Sequence, residues 1–175
     1  MLDLHFHYKA VVRHLLMLKY NEHNYNSHTI IKLKKISIFF DLRNLTDLDD
    51  LTISNCFYFF RFFLGRNGYY QSYKMKFKLN VYYHSFTIKC DIEKRYMYYS
   101  IYMFINEIKN TRYLKVQVKE QAINYWTYEV DEMYYFSEKY KKIGFFYLNK
   151  PVYFRFYTKY NNYFQTGDFL KLFKI

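Results

Sequence analysis

The spacing of hydrophobic positions along the chain changes several times between the helical and the strand period. Near the N-terminus these positions recur at steps of three and four, which predicts an amphipathic helix. Its apolar face consists of Leu4, Tyr8, Val11, Leu15 and Leu18. His5, Lys9 and Arg13 line another face, so the helix is basic. After a polar segment, Ile30 to Phe40 is rich in β-branched and aromatic residues with lysines between them, which predicts a strand.

A second helix is predicted after this strand. Thr46 or Asp47 can cap it, and Asp49 and Asp50 would then lie in its first turn, where the helix dipole favours acids. Its predicted apolar face consists of Leu48, Leu51, Cys56, Phe59, Phe60 and Phe63. The turn from Gly65 to Gly68 is typical of a glycine C-cap and ends the helix.

The period changes to two from Tyr73 to Leu79, which predicts a strand. Lys74, Lys76 and Lys78 then share one face of that strand, and apolar residues share the other. A second alternating run follows a link around Asn80 to Ser85. Its apolar side consists of Phe86, Ile88, Cys90 and Ile92, and its other side of Thr87, Lys89 and Asp91. The two runs predict a β-hairpin or a long β-arm.

The last part of the chain mixes helical and strand patterns. Glu93 to Lys109 has helical spacing through Met97, Ile101, Phe104 and Ile108, which predicts a third helix packed on the sheet. Strands are predicted at Tyr113 to Lys119, Ala122 to Val130 and Val152 to Tyr160, and helical turns at Ser137 to Ile143 and Phe169 to Ile175. Because there is no regular βαβ alternation, the sequence predicts one α+β domain over residues 1–175, with a largely antiparallel sheet packed against helices.

Composition narrows the choice of partner. The 175 residues are 51% hydrophobic and 25% aromatic, too apolar for a disordered chain. Lys plus Arg number 27 against 15 Asp plus Glu, so the formal charge of +12 favours a polyanion or an anionic membrane surface. With 24 Tyr, 19 Phe and 4 Gly, the skew follows A/T-rich codons, so aromatic richness alone is weak support for base stacking.

Catalysis, metal binding and cofactors have no support in the sequence. Cys56 and Cys90 have no partner at metal or redox spacing. His5 and His7 would lie about 200° apart on a helix, and capping explains the acids of the second helix. The sequence contains no nucleotide loop, nucleophile elbow or zinc-protease motif. Its uncharged stretches are shorter than the roughly 20 residues of a membrane-spanning helix. Its opening resembles neither a signal peptide nor a transit peptide, so none is expected.

Basic side chains are the remaining candidates for binding. The three lysines of the alternating strand share one face, which suits contact with phosphates. Arg61 and Arg66 flank the glycine turn, where they are equally explained as phosphate contacts or as helix C-terminal charges. Lys32, Lys34 and Lys35 belong to the first strand. The alternative for all of these residues is a solvated surface.

Several strings of the sequence, taken in order, resemble one known family. They are Leu4-His5-Phe6-His7-Tyr8 with Val12, Arg13, Leu18-Lys19 and Asn21; Ile30 to Phe40; Leu51 to Gly65; Thr87 to Asp91; Glu93 to Met97; Phe104-Ile105; Tyr135 to Glu138; and Val152 to Thr158. On these strings the chain resembles the fifth protein of the large ribosomal subunit, the universal family that binds 5S rRNA, above all its mitochondrially encoded members. It departs from the family between Asn110 and Ala122, where a glycine-rich insertion is lost or shortened.

The resemblance implies a ribosomal protein family five-like fold and a non-catalytic role in the central protuberance. Members bind 5S rRNA and large-subunit rRNA, touch small-subunit ribosomal protein thirteen, and extend a loop toward peptidyl-site tRNA. By position that loop falls within Lys74 to His84, which adds Tyr83 and His84 to the candidate RNA contacts. The rRNA side of the protein would carry Lys9, Arg13, Lys32, Lys34 and Lys35. Many mitochondrial ribosomes lack 5S rRNA, so the alternative is large-subunit rRNA alone with neighbouring mitochondrial ribosomal proteins.

Composition, the mitochondrial-like opening and the lack of a recognisable presequence together predict an organelle-encoded protein of the mitochondrial matrix. A plastid or a reduced bacterium is the alternative source. A free RNA-binding or RNA-processing factor is the alternative function, because the basic strand would serve it equally. A peripheral membrane protein held by the basic first helix is a third hypothesis, although we expect no membrane partner.

Overall fold

The computed structural model describes residues 4–19, 32–42, 49–76, 82–109, 115–131, 150–159 and 163–172. Some residues of the predictions lie outside these ranges. They are Thr46, Asp47, Leu48, Lys78 and the predicted helical turn at Ser137 to Ile143. Helix α1 combines Leu4–His7, the π-helical turn Tyr8–Val12 and Arg13–Lys19; α2 is Asp50–Leu64; α3 combines Arg95–Met103 with the π-helical Phe104–Lys109; and α4 is Tyr163–Leu172.

The strands form one six-stranded antiparallel sheet. They are β1 (Lys32–Leu42), β2 (Tyr69–Lys76), β3 (Tyr82–Ile92), β4 (Lys115–Gln121), β5 (Tyr125–Asp131) and β6 (Val152–Lys159). The spatial order β2-β3-β1-β6-β5-β4 puts β1 and β6 at the centre, between two hairpins. The predicted α+β class with an antiparallel sheet packed against helices is therefore confirmed.

Alternation along the central strands gives the sheet one apolar face. The β1–β6 register pairs Ile36 with Phe156 and Ile38 with Phe154, and all four side chains are fully buried. The neighbouring strands extend this face with Ile88, Cys90, Ile92, Trp126, Tyr128 and Val130. Because successive side chains of a strand point to opposite faces, the residues between these positions form a second face.

Phenylalanine rings join the helices to the apolar face. The Phe104 ring centroid of α3 lies 4.8 Å from that of Phe154 and 5.6 Å from that of Phe156. On α2, the Phe59 and Phe60 rings each lie 5.4 Å from the ring of Phe40 in edge-on contact. Aromatic pairs prefer such edge-to-face geometry, so much of the aromatic excess serves the core, as the sequence predicts.

The buried face of α1 differs from the predicted one. The buried side chains are Tyr8, Val12 and Leu16. Val11, Leu15 and Leu18, predicted to be on the apolar face, are 41%, 44% and 73% exposed. The cause is the π-helical turn, whose wider i→i+5 bonding keeps residues four apart in line and moves the predicted stripe away from the core.

Helix α2 follows the prediction except at its start. It begins at Asp50 with Asp49 as its extended N-cap residue, so the predicted cap at Thr46 or Asp47, with Asp49 in the first turn, is wrong. Cys56, Phe59, Phe60 and Phe63 are buried as predicted, but Leu51 is 65% exposed because it lies about 140° around the helix from Cys56. The predicted glycine cap is confirmed. Gly65 takes the left-handed conformation at φ 63°, which glycine adopts without steric cost. The backbone N–H groups of Gly65 and Arg66 both donate to the Phe60 carbonyl oxygen.

The predicted hairpin is present, but its strands are longer than expected. Strand β2 begins at Tyr69 rather than Tyr73. Strand β3 begins at Tyr82, so Tyr83 and His84, predicted to lie in a connecting loop, pair instead with Met75 and Lys74. Tyrosine favours the pleated sheet, which explains the extension. Similarly, α4 begins at Tyr163, before the predicted start of the last helical turn.

We expect Phe104→Ala to lower the free energy of unfolding by about 3–5 kcal/mol, because it leaves a cavity between α3 and the sheet. Tyr102→Ala, on the same helix but 37% exposed, should cost much less. Denaturant unfolding of both variants measures the difference. Equal losses for the two variants would show that Phe104 is not the contact that joins α3 to the sheet.

Candidate nucleic-acid interface

The second face of the sheet, called the polar face below, consists of three rows of side chains across the central strands. The rows are Lys35, Tyr157 and Tyr125; Asp91, Ser37, Arg155 and Thr127; and Lys89, Phe39, Tyr153 and Glu129. Each row follows from the registers of β1, β3, β5 and β6. The described helices pack on the opposite face, through contacts such as Phe104 with Phe154.

Arg155 lies at the centre of the polar face. Its Nε donates to the Thr127 hydroxyl at 2.8 Å, and a terminal nitrogen donates to a Glu120 carboxylate oxygen at 2.8 Å. The guanidinium carbon is 4.6 Å from the Tyr125 ring centroid and 5.1 Å from that of Phe39. The guanidinium is therefore held between two aromatic rings by two hydrogen bonds, in a geometry typical of cation–π contacts.

More rings lie beside Arg155 on the same face. Phe39 and Tyr153 stack with centroids 5.1 Å apart and planes 15° apart. The Lys35 ammonium is 4.9 Å from the centroid of Tyr157, whose ring is 5.5 Å from that of Tyr125. All four rings are half-buried, so each keeps part of its surface in contact with solvent. Half-exposed rings on a sheet are the feature on which unpaired bases stack in single-strand binding proteins.

Asp91 joins the β2–β3 hairpin to the central strand. Its carboxylate accepts hydrogen bonds from Ser37 of β1 and from the Tyr69 hydroxyl of β2 at 2.7 Å. The ammonium groups of Lys35 and Lys89 lie 3.5 and 3.4 Å away. Burial raises the pKa of Asp91, but the two hydrogen bonds and the two lysines outweigh it and hold that pKa below its ordinary value. The carboxylate therefore stays ionised as a structural anchor.

Glu129 is the second carboxylate of the polar face, and it is buried, at 6% exposure. Its carboxylate accepts a hydrogen bond from the Tyr153 hydroxyl at 2.9 Å, and its other oxygen lies 2.8 Å from the Lys119 ammonium nitrogen. Burial, and then the hydrogen bond to Glu129, raise the pKa of Tyr153. Tyr153 therefore remains a neutral phenol whose ring is fixed against Phe39.

The cations of the polar face are largely balanced by acids. Lys35 and Lys89 share Asp91, Lys119 pairs with Glu129, and Arg155 pairs with Glu120. The field of this face is therefore far weaker than the total charge of the chain suggests. Recognition here would depend on ring stacking and directed hydrogen bonds more than on bulk attraction to phosphates.

The predicted basic residues of the first strand divide between two environments. The backbone pairs place Lys32 opposite Lys159, in line with the Lys35–Tyr157 pair of the polar face. Lys34 lies at an irregularity in the register, between Leu33 and Lys35, and is exposed. Of the contacts with the rings of the polar face, the strand provides that of Lys35, whose ammonium lies over the ring of Tyr157.

Arg61 and Arg66 lie on the helical side of the sheet. Arg61 is exposed in the last turn of α2. The Arg66 guanidinium stacks over the ring of Tyr96 in the first turn of α3, 4.1 Å from its centroid. They are thus close to each other along the chain but lie apart from Arg155 and its rings, on the other face of the sheet.

The predicted residues of the hairpin and of α1 are placed less fully. Lys74 and Lys76 belong to β2, where their backbones pair with His84 and Tyr82. Tyr83 pairs with Met75, and Lys78 lies outside the described residues. On α1, Lys9 is exposed and Arg13 is half-buried. The hairpin thus gathers the predicted residues along one edge of the sheet, away from Arg155.

Sequence reasoning missed the residues of the aromatic cluster, the name used below for Phe39, Tyr125, Tyr153 and Tyr157 around Arg155. Tyr153, Arg155 and Tyr157 alternate with Phe154 and Phe156 in the predicted last strand, and this alternation was the available signal. It was hard to use because both sets are aromatic-rich in a chain with A/T-skewed composition. Phe39 and Tyr125 join the cluster only through long-range pairing.

No protein-family model matches this chain, and no curated protein matches it either. Among the described residues, no group of three or more His, Cys, Asp and Glu side chains is placed to hold a metal ion. Within that same part of the chain, no helix has the length and apolarity needed to cross a bilayer. The candidate site is the polar face, because of its half-exposed rings around Arg155.

We expect Asp91→Asn to lower the free energy of unfolding at pH 7 by about 1–3 kcal/mol, because it weakens hydrogen bonds to a charged acceptor. The folded-state pKa of Asp91 is lowered, so its stabilisation is complete above the ordinary carboxyl pKa and is lost as the pH falls through the folded-state value. Urea unfolding between pH 7 and pH 2 should therefore show the two proteins converging in acid.

The control for this prediction is Asp49→Asn, because Asp49 is exposed and makes no side-chain hydrogen bond to the start of α2. Its unfolding free energy should change little at any pH. A difference between wild type and Asp91→Asn that stays constant or grows in acid would contradict the anchoring role of Asp91.

Proposed function

We propose that this protein is a structural, non-catalytic component of the large ribosomal subunit of mitochondria. In this proposal it binds large-subunit rRNA at the central protuberance, and 5S rRNA where that RNA is present. The α+β fold and the family resemblance of strings from Leu4 to Thr158 support the proposal. The observation that carries it is the guanidinium of Arg155, held between the rings of Tyr125 and Phe39 on the polar face.

The geometry of this cluster suits RNA. Unpaired bases stack on aromatic and guanidinium planes at about 1–3 kcal/mol per base, and half-buried rings are pre-oriented for such contacts. Fixing the rings in the folded protein lowers the entropy lost on binding. Lys35 and Arg155 beside the rings supply donors for the RNA backbone or for base edges.

The remaining proposed partners follow from the family resemblance, which by position assigns the tRNA-facing loop to the hairpin. Strand β2 is at an edge of the sheet, and Lys74, Lys76, Tyr83 and His84 lie in the β2–β3 hairpin. In the proposed function this hairpin approaches peptidyl-site tRNA. Small-subunit ribosomal protein thirteen and mitochondrial ribosomal proteins are the proposed protein neighbours.

A free RNA-binding factor is the second candidate function. The observation that favours it is the same set of half-exposed rings, because stacking on aromatic side chains accepts unpaired bases of many sequences. Where the protein is found in the cell, and on which RNA, separates the two candidates.

We expect ultraviolet crosslinking of the native protein in gradient fractions of mitochondrial lysate to recover large-subunit rRNA from the large-subunit particle. Crosslinked peptides should come from β1, β5 and β6, because the rings of the polar face would stack on bases. Sequencing of the attached RNA and mass spectrometry of the peptides measure both. Crosslinks confined to free transcripts, with the protein at the top of the gradient, would replace the ribosomal function by the second candidate.

We expect Tyr157→Leu to weaken binding of a 12-nucleotide oligouridine by about fivefold to a hundredfold, the loss of one stacked base. Leucine keeps an apolar side chain on β6 but removes the ring. The control is Tyr58→Leu, because Tyr58 is 61% exposed on α2, on the other side of the sheet. Fluorescence anisotropy with the purified full chain measures both affinities. Unchanged affinity in Tyr157→Leu would sink the polar face as the stacking surface.

A further inference from the structure

A second basic surface lies where α2 ends and α3 begins, on the helical side of the sheet. We call it the cationic corner; it consists of Arg61, Arg66, Lys94, Arg95 and Tyr96. The N–H of Arg66 bonds to the Phe60 carbonyl at 3.3 Å, which brings the loop back beside Arg61. The contact between Arg66 and Tyr96 joins that loop to the first turn of α3, which also carries Arg95.

The charge of the cationic corner is not neutralised as that of the polar face is. Four basic side chains are present, and the exposed Glu93 is the one acid in the connecting segments 65–68 and 93–94. In the described part of the chain no ion pair is found for Arg61, Arg66, Lys94 or Arg95. Unpaired cations retain their full attraction for a polyanion, whereas cations of a local ion pair do not.

The corner is also held in a fixed shape. A Cβ at Gly68 would lie 2.5 Å from a Phe60 ring carbon, so the loop packs directly on α2. Lys94 has φ 58° and ψ −135°, a conformation that the packing on both sides must maintain. The Arg66 guanidinium is held over the ring of Tyr96, so less side-chain freedom is lost when its N–H groups bind an anion.

We infer that the cationic corner binds the phosphate backbone of a second, double-stranded RNA segment while the polar face holds unpaired bases. The choice of RNA as the polyanion rests on the proposed function. The choice of a duplex follows from the two surfaces: the corner offers charges that track phosphates, and its Tyr96 ring is already covered by Arg66 on one side. Since the corner and the polar face lie on opposite sides of one sheet, the protein would hold two RNA segments apart at a fixed spacing.

The test uses two RNA probes with the purified full chain. A 20-base-pair RNA duplex presents phosphates without unpaired bases, and the 12-nucleotide oligouridine presents bases that can stack. Arg66→Gln combined with Arg95→Glu should weaken duplex binding roughly tenfold or more and lower its salt dependence, by roughly 0.9 in the log–log slope for each lost phosphate contact. The same variant should keep most of its oligouridine affinity, and Tyr157→Leu should show the reverse pattern.

The matched control is Lys171→Glu, because Lys171 is also an exposed helical cation but lies on α4. Glutamate at position 95 lies in the first turn of α3, where the helix dipole favours an acid, so unfolding is not expected to cause the loss. A thermal melt of each variant checks this point. The single variant Arg95→Glu is compared with Lys171→Glu, because both change the net charge equally. Equal loss of duplex binding in the two would mean that the attraction is due to net charge alone and would overturn the inference.

Two further outcomes also decide the question. Protein immobilised on the duplex should capture labelled oligouridine, and competition between the two probes would overturn the two-segment arrangement. Flotation with vesicles of 70% phosphatidylcholine and 30% phosphatidylglycerol should show no binding that depends on Arg66 and Arg95. Vesicle binding that those substitutions remove, without any duplex binding, would assign the corner to an anionic membrane instead. A wild-type protein that binds the duplex but not oligouridine would contradict the proposed function and leave the cationic corner as a binding site.

Discussion

Pairing between β1 and β6 at the centre of the sheet determines both the core and the candidate interface. In this register Ile36 and Ile38 face Phe156 and Phe154 on the apolar side, while Ser37 faces Arg155 on the other side. A shift of one residue would exchange the two faces. Such a shift would bury the Arg155 guanidinium under α3 and expose Phe154 and Phe156. The packing of α3 on the sheet therefore also fixes the position of the polar face, the candidate site. The site and the stability of the fold therefore depend on the same hydrogen-bond ladder.

The sequence predicted much of the fold because most of its elements have clear periods. The alternation of Phe86 to Ile92, the glycine cap at Gly65 and the strand before Leu42 depend on local residues, and all three are confirmed. The prediction of the buried face of α1 was wrong because the π-helical turn changes the spacing of the buried positions. The regular pattern of apolar residues in the sequence does not signal such a turn. The aromatic cluster could not be predicted, since Phe39 and Tyr125 are far apart in sequence and meet on either side of Arg155 only through strand order.

The distribution of paired charges matters more for function than their total. On the polar face, the half-buried Asp91 and the buried Glu129 organise lysines and two tyrosines into a rigid surface, and in doing so they neutralise much of its field. At Asp91 these partners outweigh the lost solvation and hold the pKa of the carboxyl group below its ordinary value. The acids therefore serve to hold the rings in place, and in the proposed function the long-range attraction of RNA would come from cations elsewhere in the chain.

This separation of roles has a mechanical consequence. Ring stacking acts at contact distance and changes little with salt, whereas attraction between phosphates and unpaired cations acts over the roughly 8 Å Debye length of physiological salt. If stacking rings and unpaired cations shared one surface, nonspecific attraction of phosphates to the cations would compete with the selection of unpaired bases by the rings. Here the stacking residues around Arg155 and the unpaired cations around Arg66 lie on opposite sides of the sheet. In the inferred arrangement each surface would select its own form of RNA, and a single small domain would fix the distance between the two.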